Sequence, residues 1–467
     1  MACSSSNCKS NNCHKNEDDD EQQPQNTPSP LTTSSSNGQQ NLCLKCKINH
    51  PISSTSTTTS SIGSNSDETR FCGDCFRSNI YGKFRLAVTS HAMITPSDNV
   101  LVAFSGGPSS RVALQFVHDM QLRAQKNFDA SKDKSLPVFG VGVAFIDESA
   151  VNKLPSDEVN AAIREMNLVL SNLAPPMKQL HVVPIENVYS RDLVDGKEKL
   201  TKVLNDVNDV TGKEDLLLHL RMLALQKAAS ENGYNRLVLG SCTSRIACHV
   251  LAATVKGKGY SLSADIQYVD ARWEVPVVLP LRDCTVQELN LICRIDGLKT
   301  MELLTGYPTG INGLISSFVT LLQEENPSRE STIVRTAGKL TPFQFNRIPE
   351  INDCNVPLAT RRRQKRFNLK PVESMSSELF CPICNSPLSD SELLDISSCR
   401  SSQSSNFHAA CCSSCKFQIL PKDPSSLEHF YWSLPQQLVA RSKHESGDNL
   451  NLLREQIQDC LLSDGED

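Results

Sequence analysis

The stretch Asn99–Met120 reads NVLVAFSGGPSSRVALQFVHDM. An apolar run, Val100–Phe104, ends in Ser105-Gly106-Gly107, and the residues from Ser109 to Met120 then follow the spacing of an amphipathic helix. Strand, glycine turn and helix together build a phosphate cradle: glycines let backbone N–H groups face an anion, and the helix N-terminus adds partial positive charge. No carboxylate stands in this turn to hold the magnesium that nucleotide chemistry normally needs. The stretch therefore predicts the shape of a cradle without its usual metal anchor.

Outward from it, strand and helix signals alternate. Val100–Phe104, Val138–Ile146, His181–Ile185 and Leu237–Gly240 are expected strands, rich in Val, Leu and Ile without polar alternation, as in a parallel sheet covered on both faces. Ser109–Ala124, Asp157–Leu173, Glu214–Asn232 and Thr243–Val255 are expected helices. The pattern predicts an α/β fold, a doubly wound, mostly parallel sheet. Leu216, Leu217, Leu220, Leu223 and Leu225 make an apolar helix face suited to covering that sheet, and Cys242 and Cys248 read as small buried packing residues. Further on, Thr285 is placed to cap a helix, as is Ser328 in NPSREST, with Glu330 in the first turn.

The chain has 467 residues, enough for two or three domains, and a formal net charge of -5. That charge argues against an overall electrostatic grip on nucleic acid, so RNA contact would come from local basic patches. No apolar run is long enough to cross a membrane, and the N-terminus lacks the basic-then-apolar pattern of a secretory signal, so the expectation is a soluble, unsecreted protein with no membrane partner.

In such a protein 19 cysteines point to metal rather than to a disulfide framework. Cys43-x2-Cys46 with Cys72-x2-Cys75 offers four thiolates in two knuckles, interrupted by a Ser/Thr-rich insert, Ser53–Ser66. Cys381-x2-Cys384 with Cys412-x2-Cys415 repeats the arrangement, with Cys399, Cys411 and His408 as spare donors. Paired knuckles favour structural zinc over an iron–sulfur cluster. Cys3, Cys8, Cys13 and His14 fall in a Ser/Asn/Gln/Asp-rich stretch too poor in apolar residues to fold around a metal. The expected organisation is a disordered tail (1–40), an N-terminal zinc module (41–90), the α/β domain (91–345), a basic linker (346–375), a C-terminal zinc module (376–435) and a polar, acidic tail (436–467).

Strand-S-G-G-x-x-S-helix is similar to the loop of the ATP pyrophosphatase family, usually S-G-G-x-D-S, with Ser105, Gly106, Gly107 and Ser110 as the matching, phosphate-binding positions. Over about residues 40–435 the chain further resembles the second-subunit family of the cytosolic tRNA 2-thiolation complex, through CLKCK, FCGDCF, LGSCTSRIA, VLPLRD, NPSREST, CPIC and CSSCKF. The resemblance implies a non-catalytic subunit in the cytoplasm. Its partners would be a catalytic first subunit, tRNA and a thiocarboxylated ubiquitin-like carrier whose sulfur is passed to wobble uridine 34. ATP and magnesium would then act only through the first subunit.

The departures from the family carry that implication. Ser109 stands where the loop has its Asp, and Ser244 and Arg245 stand where G-H-x-x-D-D has its acids. Sulfur-transferring relatives carry a CxxC pair after the second strand, absent here, and Cys284 lies near a later cysteine position without partners. No catalytic residue is therefore expected. Lys83, Arg85, Arg245, Arg361, Arg362, Arg363, Lys365 and Arg366 are the candidate RNA contacts. Two other readings are an active adenylating enzyme that recruits Asp265 or Asp270, and a zinc-ribbon nucleic-acid-binding regulator.

Overall fold

The computed structural model describes residues 42–52, 70–132, 137–152, 154–189, 195–301, 309–345, 358, 361–362, 375, 379–398 and 402–442. The expected N-terminal tail, the Ser/Thr insert, Cys399, most of the basic linker with Arg363, Lys365 and Arg366, and the chain beyond 442 lie outside these residues.

Six strands form one sheet: β1 (Asn99–Ala103), β2 (Gly140–Asp147), β3 (Leu180–Pro184), β4 (Arg236–Val238), β5 (Val269–Asp270) and β6 (Val277–Val278). Their order is β3-β2-β1-β4-β6-β5, parallel throughout except for the antiparallel pair β5–β6. Each of the four expected strands overlaps an observed one. β6 falls within the apolar run of EVPVVLPL, Glu274–Leu281, whereas the short β5 has no signal of its own in the sequence.

The first half supplies α1 (Gly73–Ser90), α2 (Pro108–Ala130), α3 (Ser149–Asn152), α4 (Ser156–Asn172), α5 (Gly196–Asp206) and α6 (Val210–Glu231). The second supplies α7 (Thr243–Val255), α8 (Leu262–Asp265), α9 (Val286–Ile295), α10 (Ile311–Glu325) and α11 (Ser328–Ala337). Alternate residues of β1 face opposite layers. Val100 and Val102 pack with Phe84, Phe116 and Ile292 from α1, α2 and α9, while Leu101 packs with Leu225 and Ile246 from α6 and α7. Both faces are thus covered, which is why the strands carry no polar alternation.

Thr285 caps α9 as expected, in a complete capping box with Glu288. Ser328 does not cap α11. Asn326 accepts from both the backbone N–H and the hydroxyl of Ser328, so the Asx turn one step earlier takes that role.

Candidate functional site

In a doubly wound sheet, ligands bind beyond the carboxyl ends of the strands, where the strand order reverses. Here that point lies between β1 and β4, which pair directly and carry the SGG loop and the GSCTSR segment. Gly106 has φ +84°, a left-handed value that glycine adopts freely, and its carbonyl accepts from the N–H of Met301 at 2.9 Å. A side chain at Gly106 would strike the Met301 Cβ at 3.0 Å. Ser110 is buried and its hydroxyl donates to the Gly107 carbonyl at 2.9 Å, with Ser105 Oγ 3.3 Å away. The glycine turn is tight, and its serine hydroxyls bind one another and the loop's own backbone.

The second arm presses onto the first. A Cβ on Gly240 would lie 2.8 Å from the Ser110 backbone nitrogen and 2.9 Å from the Ser109 carbonyl oxygen, so the two segments meet backbone to backbone. Beyond it, Thr243 donates its N–H to the Cys284 carbonyl and its hydroxyl to the Arg282 carbonyl, which ties the start of α7 to the segment before α9.

Ser244, at the first lost acid, points into the fold rather than toward the crevice. Its hydroxyl donates to Glu330 Oε2 and accepts from the Val286 N–H at 3.1 Å and from Gln323 Nε2 at 3.2 Å, joining α7 to α9, α10 and α11. Glu330, in the first turn of α11 as expected, is 1% exposed, and burial pushes its carboxyl above the ordinary carboxylate range while the Ser244 hydroxyl pulls the other way. Its Oε1 is buried without a hydrogen-bond partner. Arg245, at the second lost acid, is exposed, and Ser109 is half-buried. Cys242 is buried as expected, Cys284 is buried with its thiol raised by desolvation, and burial takes the half-buried Cys248 up to about 11. These are the settings of inert packing thiols, not of sulfur carriers.

Asp265 and Asp270 do not replace the missing acids. Both are bound by Arg272 at 2.7 Å, and Asp265 also meets His249 at 3.0 Å. Asp270 sits on β5, separated from β4 by β6. Their joint product is a clamp: Arg272 also donates to the Asn385 carbonyl at 3.1 Å, and Asn385 Nδ2 returns a bond to the Arg272 carbonyl.

Asn385 belongs to the second cysteine centre. Cys381, Cys384, Cys412 and Cys415 bring all four Sγ atoms within 4.8 Å of one another, and so do Cys43, Cys46, Cys72 and Cys75. The separations are 3.6 Å for Cys384–Cys412 and 3.8 Å for Cys46–Cys72. A tetrahedron with metal–sulfur bonds of about 2.3 Å has edges of about 3.8 Å, so each group fits a single tetrahedral ion. Among the described residues, Cys411 and His408 fall outside the group of four. Both centres could hold a metal ion.

The basic candidates fall in different settings. Lys83 forms an ion pair with the buried Glu288, whereas Arg85, on the same helix, is exposed. Arg361 is half-buried and Arg362 exposed.

The fold and these groups define a doubly wound α/β protein with a glycine turn after β1, no acids at Ser109, Ser244 or Arg245, and two four-cysteine groups that could each hold a metal ion. Residues 310–460 match the family model described as cytoplasmic tRNA 2-thiolation protein 2. Proteins of that name match at 58% identity over 100% of this chain and 100% of the relative in Arabidopsis thaliana, and at 50% over 85% and 86% in Oryza sativa subsp. japonica. In Homo sapiens the identity is 25%, over 70% and 72%. The chain belongs to the cytoplasmic tRNA 2-thiolation protein 2 family. Among solved structures, the U34-tRNA thiolase NcsA from Methanococcus maripaludis with its [4Fe-4S] cluster aligns with a TM-score of 0.46 at 16% identity, over 67% of this chain and 91% of that one. Among the described residues no helix is long and apolar enough to cross a membrane.

Proposed function

We infer that this chain acts in tRNA 2-thiolation as a non-catalytic subunit of a cytoplasmic complex. A catalytic first subunit moves sulfur from a thiocarboxylated ubiquitin-like carrier to uridine 34, and this chain contributes tRNA and partner binding. The carrying observation is the fate of the acid positions. Ser109 and Ser244 carry no charge, Ser244 is turned inward as a strut between four helices, and Arg245 brings the wrong sign for a magnesium ion. A site without those anchors cannot neutralise the charge that develops on departing pyrophosphate, so adenylation falls to a partner.

The glycine loop is then a retained scaffold. Zinc is the metal assigned to both cysteine centres, supported by four thiolate donors at tetrahedral spacing in each. The exposed Arg85, Arg245 and Arg362, together with Arg363, Lys365 and Arg366 of the linker, are the proposed phosphate contacts.

Deleting the gene and measuring 2-thiouridine at the wobble position of bulk tRNA by mass spectrometry tests the role. Loss of the modification, restored by the wild-type gene, is the expected result. Unchanged thiolation would overturn it and favour the zinc-ribbon regulator.

A further inference from the structure

Where α1 meets α2, three arginines gather around Tyr81, and they are not equally matched by acids. Arg77 and Arg85 stand one turn before and one turn after Tyr81 on α1, so all three share a face of that helix. Arg123 of α2 lays its guanidinium over the Tyr81 ring, 4.5 Å from the centroid. The ring is in turn held edge-on against Phe116 at 5.2 Å. Arg77 is bound by both Asp119 and Asp296 at 2.6 Å. With those carboxylates engaged, Arg85 and Arg123 have no ion pair among the described residues, and both are exposed. The Tyr81 hydroxyl belongs to a residue only 5% exposed and is buried without a hydrogen-bond partner. Burial pushes its pKa up, so it stays a donor. A buried donor left unmet is destabilising, and its retention points to an acceptor supplied from outside the chain. Two unpaired guanidinium groups and one unmet hydroxyl form a set of donors, and a phosphate group is the acceptor that suits them.

We propose that Arg85, Arg123 and Tyr81 form a binding site for a backbone phosphate of RNA, with the exposed Arg123 lifting from the ring to admit the anion to the hydroxyl. The choice of RNA rests on the proposed role in tRNA 2-thiolation, whereas the phosphate chemistry rests on the donors themselves. Arg85 stands out in the sequence as a basic residue near the first cysteine module. Arg123 and Tyr81 join it only through the packing of α1 on α2.

Binding of tRNA to the purified full-length chain, followed by fluorescence anisotropy across a salt series, tests the site. Arg85→Gln combined with Arg123→Gln is expected to weaken binding about tenfold and to reduce the slope of log affinity against log salt by about one, while Arg85→Lys with Arg123→Lys keeps the slope. Tyr81→Phe keeps the ring and removes the hydroxyl, and is expected to weaken binding about threefold with the slope unchanged. All of these variants should melt near wild type, since the arginines are exposed and the lost hydroxyl had no partner. Wild-type affinity and slope in the double glutamine variant, or wild-type affinity in Tyr81→Phe, would overturn the site while leaving tRNA binding in place. Binding of inorganic phosphate that the double glutamine variant loses, with its tRNA affinity unchanged, would overturn the RNA assignment in favour of a free anion. A wild-type chain that binds no tRNA would instead sink the tRNA-binding role, and the RNA assignment with it.

Discussion

The two four-cysteine centres share a spacing rule and differ in what surrounds them. At the N-terminal centre Cys46 and Cys75 are half-buried, and the knuckle between Cys43 and Asn49 presents Lys45, Lys47 and Ile48, the last 77% exposed, to solvent. At the C-terminal centre every cysteine is buried within the core that α6 shares with Phe407 and Phe430. Tyr189 donates to the Ser433 carbonyl at 2.9 Å, the Arg272–Asn385 pair clamps the first knuckle, and the start of α6 abuts Gln418. CxxC spacing thus reports which ligands meet, and it is silent on whether the metal staples an outer loop or part of the main core.

The largest expected effect breaks that pairing outright. Cys412→Ser is expected to cost on the order of 10 kcal/mol of metal-linked stability and to remove most soluble protein. Cys46→Ser is expected to release its metal while the α/β core melts within a few degrees of wild type, because α1 keeps Phe76, Ile80 and Phe84 in the core. Differential scanning fluorimetry with metal analysis reads both, and equal damage would erase the distinction. Next comes Gly212→Ala, whose Cβ would lie 2.0 Å from the Gln418 carbonyl oxygen. It should cost about 3 kcal/mol by chemical denaturation, since backbone on both sides must shift.

Ser244→Asp sharpens a second contrast, between the metal centres and the glycine loop. Restoring the acid there sets a second carboxylate against buried Glu330, so a loss of about 2–3 kcal/mol and no ATP hydrolysis are expected. Hydrolysis to AMP and pyrophosphate by that variant would show the crevice to be usable. The smallest effect concerns Glu330 itself. Burial raises its folded-state pKa above the unfolded one, so its contribution is whole at acid pH and is lost as pH climbs through the folded value. Glu330→Gln removes that dependence, and its melting temperature relative to wild type should rise as the pH is raised from the acid side through the titration of Glu330.

The parallel sheet was legible because Val100–Phe104 and its counterparts are short apolar runs set between helices, a pattern that a sheet covered on both faces imposes. The grouping of the cysteines in fours was legible because two CxxC knuckles in register bring four Sγ atoms together. Other features were not. Glu330 sits in a polar stretch, NPSREST, and its burial comes from α7 and α10 closing over α11, which no local pattern encodes. Asp265 and Asp270 could be read as spare acids only while Arg272 was unplaced.

On the proposed function, the glycine loop persists as scaffold while a partner performs the chemistry. Gly107→Asp tests it most directly. A Cβ there would find only Ser105 Oγ at 3.9 Å, so the fold has room, yet the new carboxylate would repel any phosphate in the cradle. Expressed in the deletion strain, this variant should restore wobble 2-thiouridine to the wild-type level. Failure to restore it, by a variant that accumulates normally and melts as wild type does, would contradict the account and return the loop to nucleotide chemistry.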